Sequence, residues 1–149
     1  MANSFITLLL VLNSFVFYQN SGTENEFTQK TKLLENYPNS LHFQSKIIRD
    51  LEGTQKNQKV SINSLEKLGF QGTVVQNITW NENAQTISIQ LDSFPPDTRF
   101  LINKINKDGK TIYKANILNL KFTDAYQLTG YGDAEFTFSK VSTENIVTP

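Results

Sequence analysis

The chain holds one histidine, His42, and no cysteine, so the side chains that most often carry out chemistry are nearly missing. Without cysteine there is no thiolate nucleophile, thiolate metal site or disulfide. A lone histidine excludes imidazole metal clusters and any two-histidine mechanism. The carboxylates Asp92, Asp97, Asp124, Asp133 and Glu135 remain as acid–base candidates, but they fall on expected caps, turns and a strand. That scatter fits capping and solvated residues better than a paired general acid and base. Gly130-Tyr131-Gly132-Asp133 opens like a dinucleotide fingerprint, yet it lacks the third glycine and a following helix and reads as a turn. No P-loop, HExxH or GxSxG pattern occurs. Asn77-Ile78-Thr79 is a glycosylation sequon inside an expected strand.

Tyr113, Tyr126 and Tyr131 lie near Lys110, Lys114 and Lys121, the residue types of a single-strand nucleic-acid platform. Against that reading, Lys+Arg and Asp+Glu are 14 each, and nucleic-acid binders usually carry a basic excess. The residues thus point to a protein that is not an enzyme, with no catalytic residues, cofactor, metal or nucleic-acid partner. Ser, Thr, Asn and Gln supply 52 of the 149 residues, so composition alone identifies no function.

The elements that would position any site begin with an apolar segment. Phe5–Tyr18 reads FITLLLVLNSFVFY, and no charged residue precedes Glu24. A helix over this core spans about 21 Å, and over Ala2–Gly22 about 31 Å, against a hydrocarbon thickness of about 30 Å. A membrane anchor fits the missing charge and the terminal position. A cleaved signal peptide needs a basic start and a small-residue cleavage site, and neither is evident. A buried core helix should be followed by chain that packs around it, and a polar stretch follows. The expectation is a membrane segment at 1–22.

Residues 23–59 are expected to form a helical stalk and linker. Phe27, Leu34, Leu41 and Ile48 are seven apart, an imperfect heptad interrupted by Pro38 and Gly53. The stripe suits either a partner helix or packing onto the following domain. Residues 60–141 are expected to fold as a domain, and 142–149 to form a tail. A short helix ends at Gly69. Strands over Thr73–Trp80 and Gln85–Leu91 make a hairpin, with Val74, Ile78 and Trp80 on one face and Ile87, Ile89 and Leu91 on another. Asp97 caps a second helix running to about Lys107, with Phe100, Leu101, Ile102 and Ile105 as its buried stripe. Strands over Ile112–Thr123 and Ala134–Val141 follow, the latter with Phe136 and Phe138 inward. The order αββαββ implies an α+β two-layer sandwich.

With its apolar start, imperfect stalk and αββαββ domain, the chain resembles inner-membrane assembly-platform proteins of the PilO and PilN type. These serve type IV pilus machines and type II secretion systems. The resemblance rests on LEKLGFQGTVVQNITWNENAQTISIQL and on RFLINKINKDGKTIYKANILNLKFTDAYQLTGYGDAEFTFSKV, from Arg99 to Val141. It implies a ferredoxin-like periplasmic domain behind a single-pass inner-membrane helix. It also implies a non-catalytic scaffold that pairs with itself or a homologous subunit. Phe27, Leu34, Leu41 and Ile48 are the expected partner interface. The alternative is a secreted or surface-tethered α+β binding module with a cleaved signal.

Overall fold

The structure, a computed structural model, describes residues 31–147. These residues form a single antiparallel sheet of eight strands that curls into a nearly closed barrel. The strands are β1 (Ser40–Gln44), β2 (Lys59–Asn63), β3 (Gly69–Asn81), β4 (Ala84–Leu91), β5 (Arg99–Lys107), β6 (Lys110–Leu118), β7 (Asp124–Tyr131) and β8 (Glu135–Ser142). Strands β2 to β8 pair in chain order as a meander, and β1 returns to pair with β8. A short helix α1 (Ser45–Asp50) and a 3-10 turn (Leu51–Gly53) lead from β1 to β2, and α2 (Glu144–Val147) follows β8.

Cross-strand register sorts the interior into layers, because directly opposed residues share a face. Val74, Ile89, Phe100, Ile117 and Tyr126 are opposed in sequence across β3 to β7 and are fully or almost fully buried. Asn77, Ile87, Ile102 and Ala115 form the next layer. Thr79, Gln85, Lys104 and Tyr113 form the layer below it. The lining therefore turns from apolar to polar toward the end that carries the β3–β4, β5–β6 and β7–β8 turns. Rings of Phe43, Phe100 and Phe138 fill the centre, with centroids 5.4 Å apart for Phe43–Phe138 and 5.6 Å for Phe100–Phe138. Each such ring contributes about 1.5–3 kcal/mol by leaving water. Gly72 admits close packing of β3 on β4: a Cβ there would lie 2.6 Å from Ile89 Cγ2 and 2.7 Å from the Gln90 carbonyl oxygen.

The expected α+β fold is corrected by this sheet. The segment expected to be a helix over 97–107 is strand β5. Phe100 and Ile102 are buried two apart while Ile105 is 36% exposed, a period of two and not 3.6. Asp97 is no cap but a turn residue with φ 73°. Asp108 and Gly109, with φ 53° and 72°, make the two-residue β5–β6 turn that favours paired positive φ. The expected helix before Gly69 is a turn, the strand expected over Ile112–Thr123 is β6 and ends at Leu118, and a further strand, β7, lies between it and β8. The β3–β4 hairpin and the inward Ile87, Ile89, Leu91, Phe136 and Phe138 agree with expectation. Trp80 does not share Val74's burial: a register shift between Val74 and Gln76 intervenes, and Trp80 is 65% exposed.

The expected stalk and inner-membrane location are corrected as well. Residues 40–44 are a barrel strand, with Leu41 and Phe43 buried and His42 between them. Among the described residues no helix is long and apolar enough to cross a membrane. The apolar stretch Phe5–Tyr18 lies outside the described residues.

Residues 31–39 lie across the upper end. Leu34 is fully buried there, and the Leu33 and Leu34 amides donate to the Asp124 carboxylate at 2.5 and 3.1 Å. The Tyr126 hydroxyl donates to the Pro38 carbonyl, and Lys140 Nζ to the Tyr37 carbonyl at 2.5 Å.

The sheet's two edge strands are β1 and β2, and β1 meets the turn that follows β2 across a seam. There the Leu65 amide donates to the His42 carbonyl at 2.7 Å. The His42 amide donates to Glu66 Oε2 at 3.1 Å, and the His42 ring Nδ1 lies 2.5 Å from Glu66 Oε1. Burial alone raises the Glu66 pKa, but the hydrogen bonds from the His42 ring and amide outweigh it and bring it down to about 2. A depressed carboxylate stabilises the fold above its unfolded value of 4.5, and that stabilisation disappears as pH falls toward about 2. Urea midpoints measured against pH should therefore fall between pH 4.5 and 2, and Glu66→Gln should flatten the curve. Identical slopes in the two proteins would rule out the seam contact.

Candidate functional site

The lower end of the barrel holds a cavity of about 470 Å³ lined by Arg49, Glu52, Lys104, Thr111, Tyr113, Tyr131, Gly132 and Asp133. Its position follows from a break in the sheet. Strands β6 and β7 pair only at Asn116–Gln127 and Ile117–Tyr126, and β7 shifts register against β8 between Leu128 and Gly130. Below those pairs the two strands diverge, and aromatic rings bridge the gap. Tyr113 on β6 meets Tyr131 on β7 edge to face at 5.5 Å, and Phe136 on β8 lies 4.9 Å from Tyr113 and 5.7 Å from Tyr131. Tyr113 is 8% exposed and Tyr131 43%, so Tyr113 belongs to the wall and Tyr131 presents ring surface to solvent.

The floor is built on Glu52, which the 3-10 turn after α1 places over the polar layer. Lys104 Nζ donates to Glu52 Oε2 at 2.5 Å, and the Tyr113 hydroxyl donates to Glu52 Oε1 at 2.6 Å. The Glu52 backbone carbonyl accepts from Gln85 Nε2 at 2.9 Å and from Asn77 Nδ2 at 3.2 Å. Asn77 Oδ1 accepts a second bond from Gln85, and Asn77 Nδ2 also donates to the Thr54 carbonyl at 2.6 Å. Both members of the Glu52–Lys104 pair are largely buried, at 20% and 25% side-chain exposure, so the pair is screened far less than a surface one. At the rim, Arg49 approaches Asp133 at 3.6 Å, with Asp133 fully exposed.

Both carboxylate oxygens of Glu52 are engaged. Lys104 balances the charge of Glu52, and the Tyr113 hydroxyl orients it with a second hydrogen bond. The Tyr113 phenol is pushed up to about 12, first by burial and next by its hydrogen bond to Glu52. Near neutral pH it is a fixed donor and not a base. Among the described residues no group of three or more His, Cys, Asp or Glu side chains is placed to hold a metal.

The residues expected from the sequence lie elsewhere. Leu34, Leu41 and Ile48 are fully buried in the barrel core, on the upper segment, β1 and α1, and present no surface to a partner. Phe27 lies outside the described residues. His42 is in the seam. Asp92 pairs with Lys59 and Asp97 with Lys121, both at 2.9 Å, while Asp124 holds the upper segment. The sequon residue Asn77 faces the barrel interior. Of the singled-out residues, Tyr113, Tyr131, Gly132 and Asp133 do reach the cavity, whereas Arg49, Glu52 and Lys104 were not anticipated. Lys104 and Tyr113 stand 52 and 61 positions from Glu52, so no local motif joins them. A lysine and a glutamine replacing apolar residues at inward positions of β5 and β4 were the available signal.

A larger cleft of about 570 Å³ at the upper end includes Lys32, Asp124 and Lys140. Asp124 and Lys140 are already engaged in fastening residues 31–39 there.

No family model, curated protein or solved structure matches this chain.

The unfolded tyrosine value is 10.0, so the raised Tyr113 pKa stabilises the fold fully below pH 10, and this is lost as pH rises toward about 12. Tyr113→Phe should lower stability at neutral pH by about 1 kcal/mol. It should also reduce the decline of the urea midpoint between pH 10 and 12. Tyr126, raised in the same direction by burial, retains part of that decline. An unchanged alkaline slope would contradict the Tyr113–Glu52 contact.

Proposed function

We propose that this protein is a non-catalytic binding module that takes a small saccharide at the lower mouth of the barrel. The observation that carries this reading is an exposed aromatic face beside a fixed polar floor. Tyr131 offers ring surface against which the C–H face of a sugar can pack, and its ring is held in place by Tyr113 and Phe136. Glu52, Lys104, Thr111 and the rim residues Arg49 and Asp133 supply acceptors and donors for hydroxyl groups. The cavity of about 470 Å³ is within the usual range for small ligands, about 300–1,000 Å³. The divergence of β6 from β7 opens the mouth to solvent, and the filled aromatic centre directs a ligand to the mouth instead of the barrel interior.

Of the interface residues implied by the pilus-platform resemblance, Phe27 lies outside the described residues. The other three, Leu34, Leu41 and Ile48, are enclosed by the barrel's own core. The binding-module alternative keeps a physical basis in the mouth.

The test is a ¹⁵N–¹H correlation titration of the full chain with galactose, N-acetylglucosamine and galacturonate in turn. At least one sugar should shift the amides of Thr111, Tyr131, Gly132 and Asp133 at micromolar to millimolar concentration. Tyr131→Ala should weaken that binding by roughly tenfold, about 1.4 kcal/mol. Absence of shifts at these amides with all three sugars would overturn the reading.

A further inference from the structure

The mouth's charges are unequal in how firmly they are held. Glu52 and Lys104 form a closed, largely buried pair, to which the Tyr113 hydroxyl is added. Arg49 is different. Its side chain is 48% exposed, and its ion-pair partner across the cavity is Asp133, at 3.6 Å between Nη2 and Oδ1. Asp133 sits in the β7–β8 turn with its side chain wholly exposed. A contact of that length between solvated groups contributes little and is readily exchanged. Arginine's planar fork prefers two parallel hydrogen bonds to one carboxylate, which the present contact does not supply.

We propose that the mouth selects an acidic saccharide, a hexuronate unit, with its carboxylate on Arg49 and its ring on Tyr131. Asp133 then acts as a tethered stand-in, holding the guanidinium over the cavity until the ligand carboxylate replaces it. Three placements support this. Arg49 and Tyr131 line the same cavity, so one ring-bearing carboxylate can reach both. The buried pair is charge-balanced, so an added anion meets no uncompensated negative charge at the floor. Asp133 is on a turn and not within a ladder, so its side chain can leave Arg49 without breaking sheet hydrogen bonds.

This proposal rests on the saccharide reading, and the test separates the two. The full chain is titrated with galacturonate and with galactose at low and moderate salt, reading affinities from the mouth amides. In the native protein galacturonate should bind about tenfold or more tighter than galactose, and the ratio should shrink as salt is raised. Arg49→Gln should bring the ratio to about one. Asp133→Asn should raise it by about threefold, because the competing carboxylate is gone. Both side chains are surface groups, and unchanged amide spectra away from the mouth confirm folding in each variant. Equal affinities for the two sugars at the mouth would overturn the acidic selectivity while leaving the saccharide reading intact. An unchanged or lowered ratio in Asp133→Asn would overturn the stand-in role. Silence of the mouth amides toward both sugars would overturn the proposal, and the reading beneath it falls with it when N-acetylglucosamine is silent as well.

Discussion

Glu52 ties the barrel's one crossover to four of its strands. Through its carboxylate it engages Lys104 on β5 and Tyr113 on β6, and through its carbonyl Asn77 on β3 and Gln85 on β4. The meander needs such a tie at this end. Strands β2 to β8 are joined by short turns, but β1 reaches β2 only through α1 and the following turn and loop. If that crossover swung free, the polar layer beneath it would exchange these partners for water, and water would reach the apolar layer above it. With the crossover in place, a group in this layer left without its partner would cost about 1–3 kcal/mol, and more when charged. Removing either Lys104 or Glu52 would leave the other's charge uncompensated in a largely buried position.

The mouth lies where the sheet opens. Strands β6 and β7 cannot stay paired along their length while β7 bends through its register shift against β8. Aromatic rings occupy the divergence where ladder bonds are missing. Their packing leaves Tyr131 half turned to solvent, while α1 brings Arg49 above it. A structural compromise in the sheet and a binding surface therefore coincide, and the groups that stabilise the first also shape the second. The upper end differs, because residues 31–39 close it with Leu34 and with backbone bonds to Asp124.

Part of this was legible in the residues. Gln85–Leu91 alternates so cleanly that both the β3–β4 hairpin and the buried Ile87, Ile89 and Leu91 follow, and Phe136 and Phe138 place β8 in the same way. Elsewhere local pattern was ambiguous. Phe100, Leu101, Ile102 and Ile105 satisfy a helical stripe as well as a strand, and Asp108-Gly109 was the signal for a hairpin that decides between them. The five residues of β1 are too few to outweigh a seven-residue repeat running through Leu34, Leu41 and Ile48. That repeat is real as a set of buried positions, but the residues reach one core from a loop, a strand and a helix. The candidate site was the least legible, because Glu52, Lys104 and Tyr113 meet only once β1 has joined β8 and the barrel has curled.

That pairing is the central claim, and nuclear Overhauser contacts in the full chain test it most directly. The Lys140 amide donates to the Asn39 carbonyl and the Ser45 amide to the Ala134 carbonyl, which sets the register of the ladder. His42 and Thr137 are opposed in that register as a pair without ladder bonds, where Cα atoms approach to about 4.5 Å. A strong Hα–Hα contact between His42 and Thr137, with strand-type shifts over residues 40–44, is the predicted result. Helical amide–amide contacts running through Leu41 and His42, with none to Thr137, would contradict it.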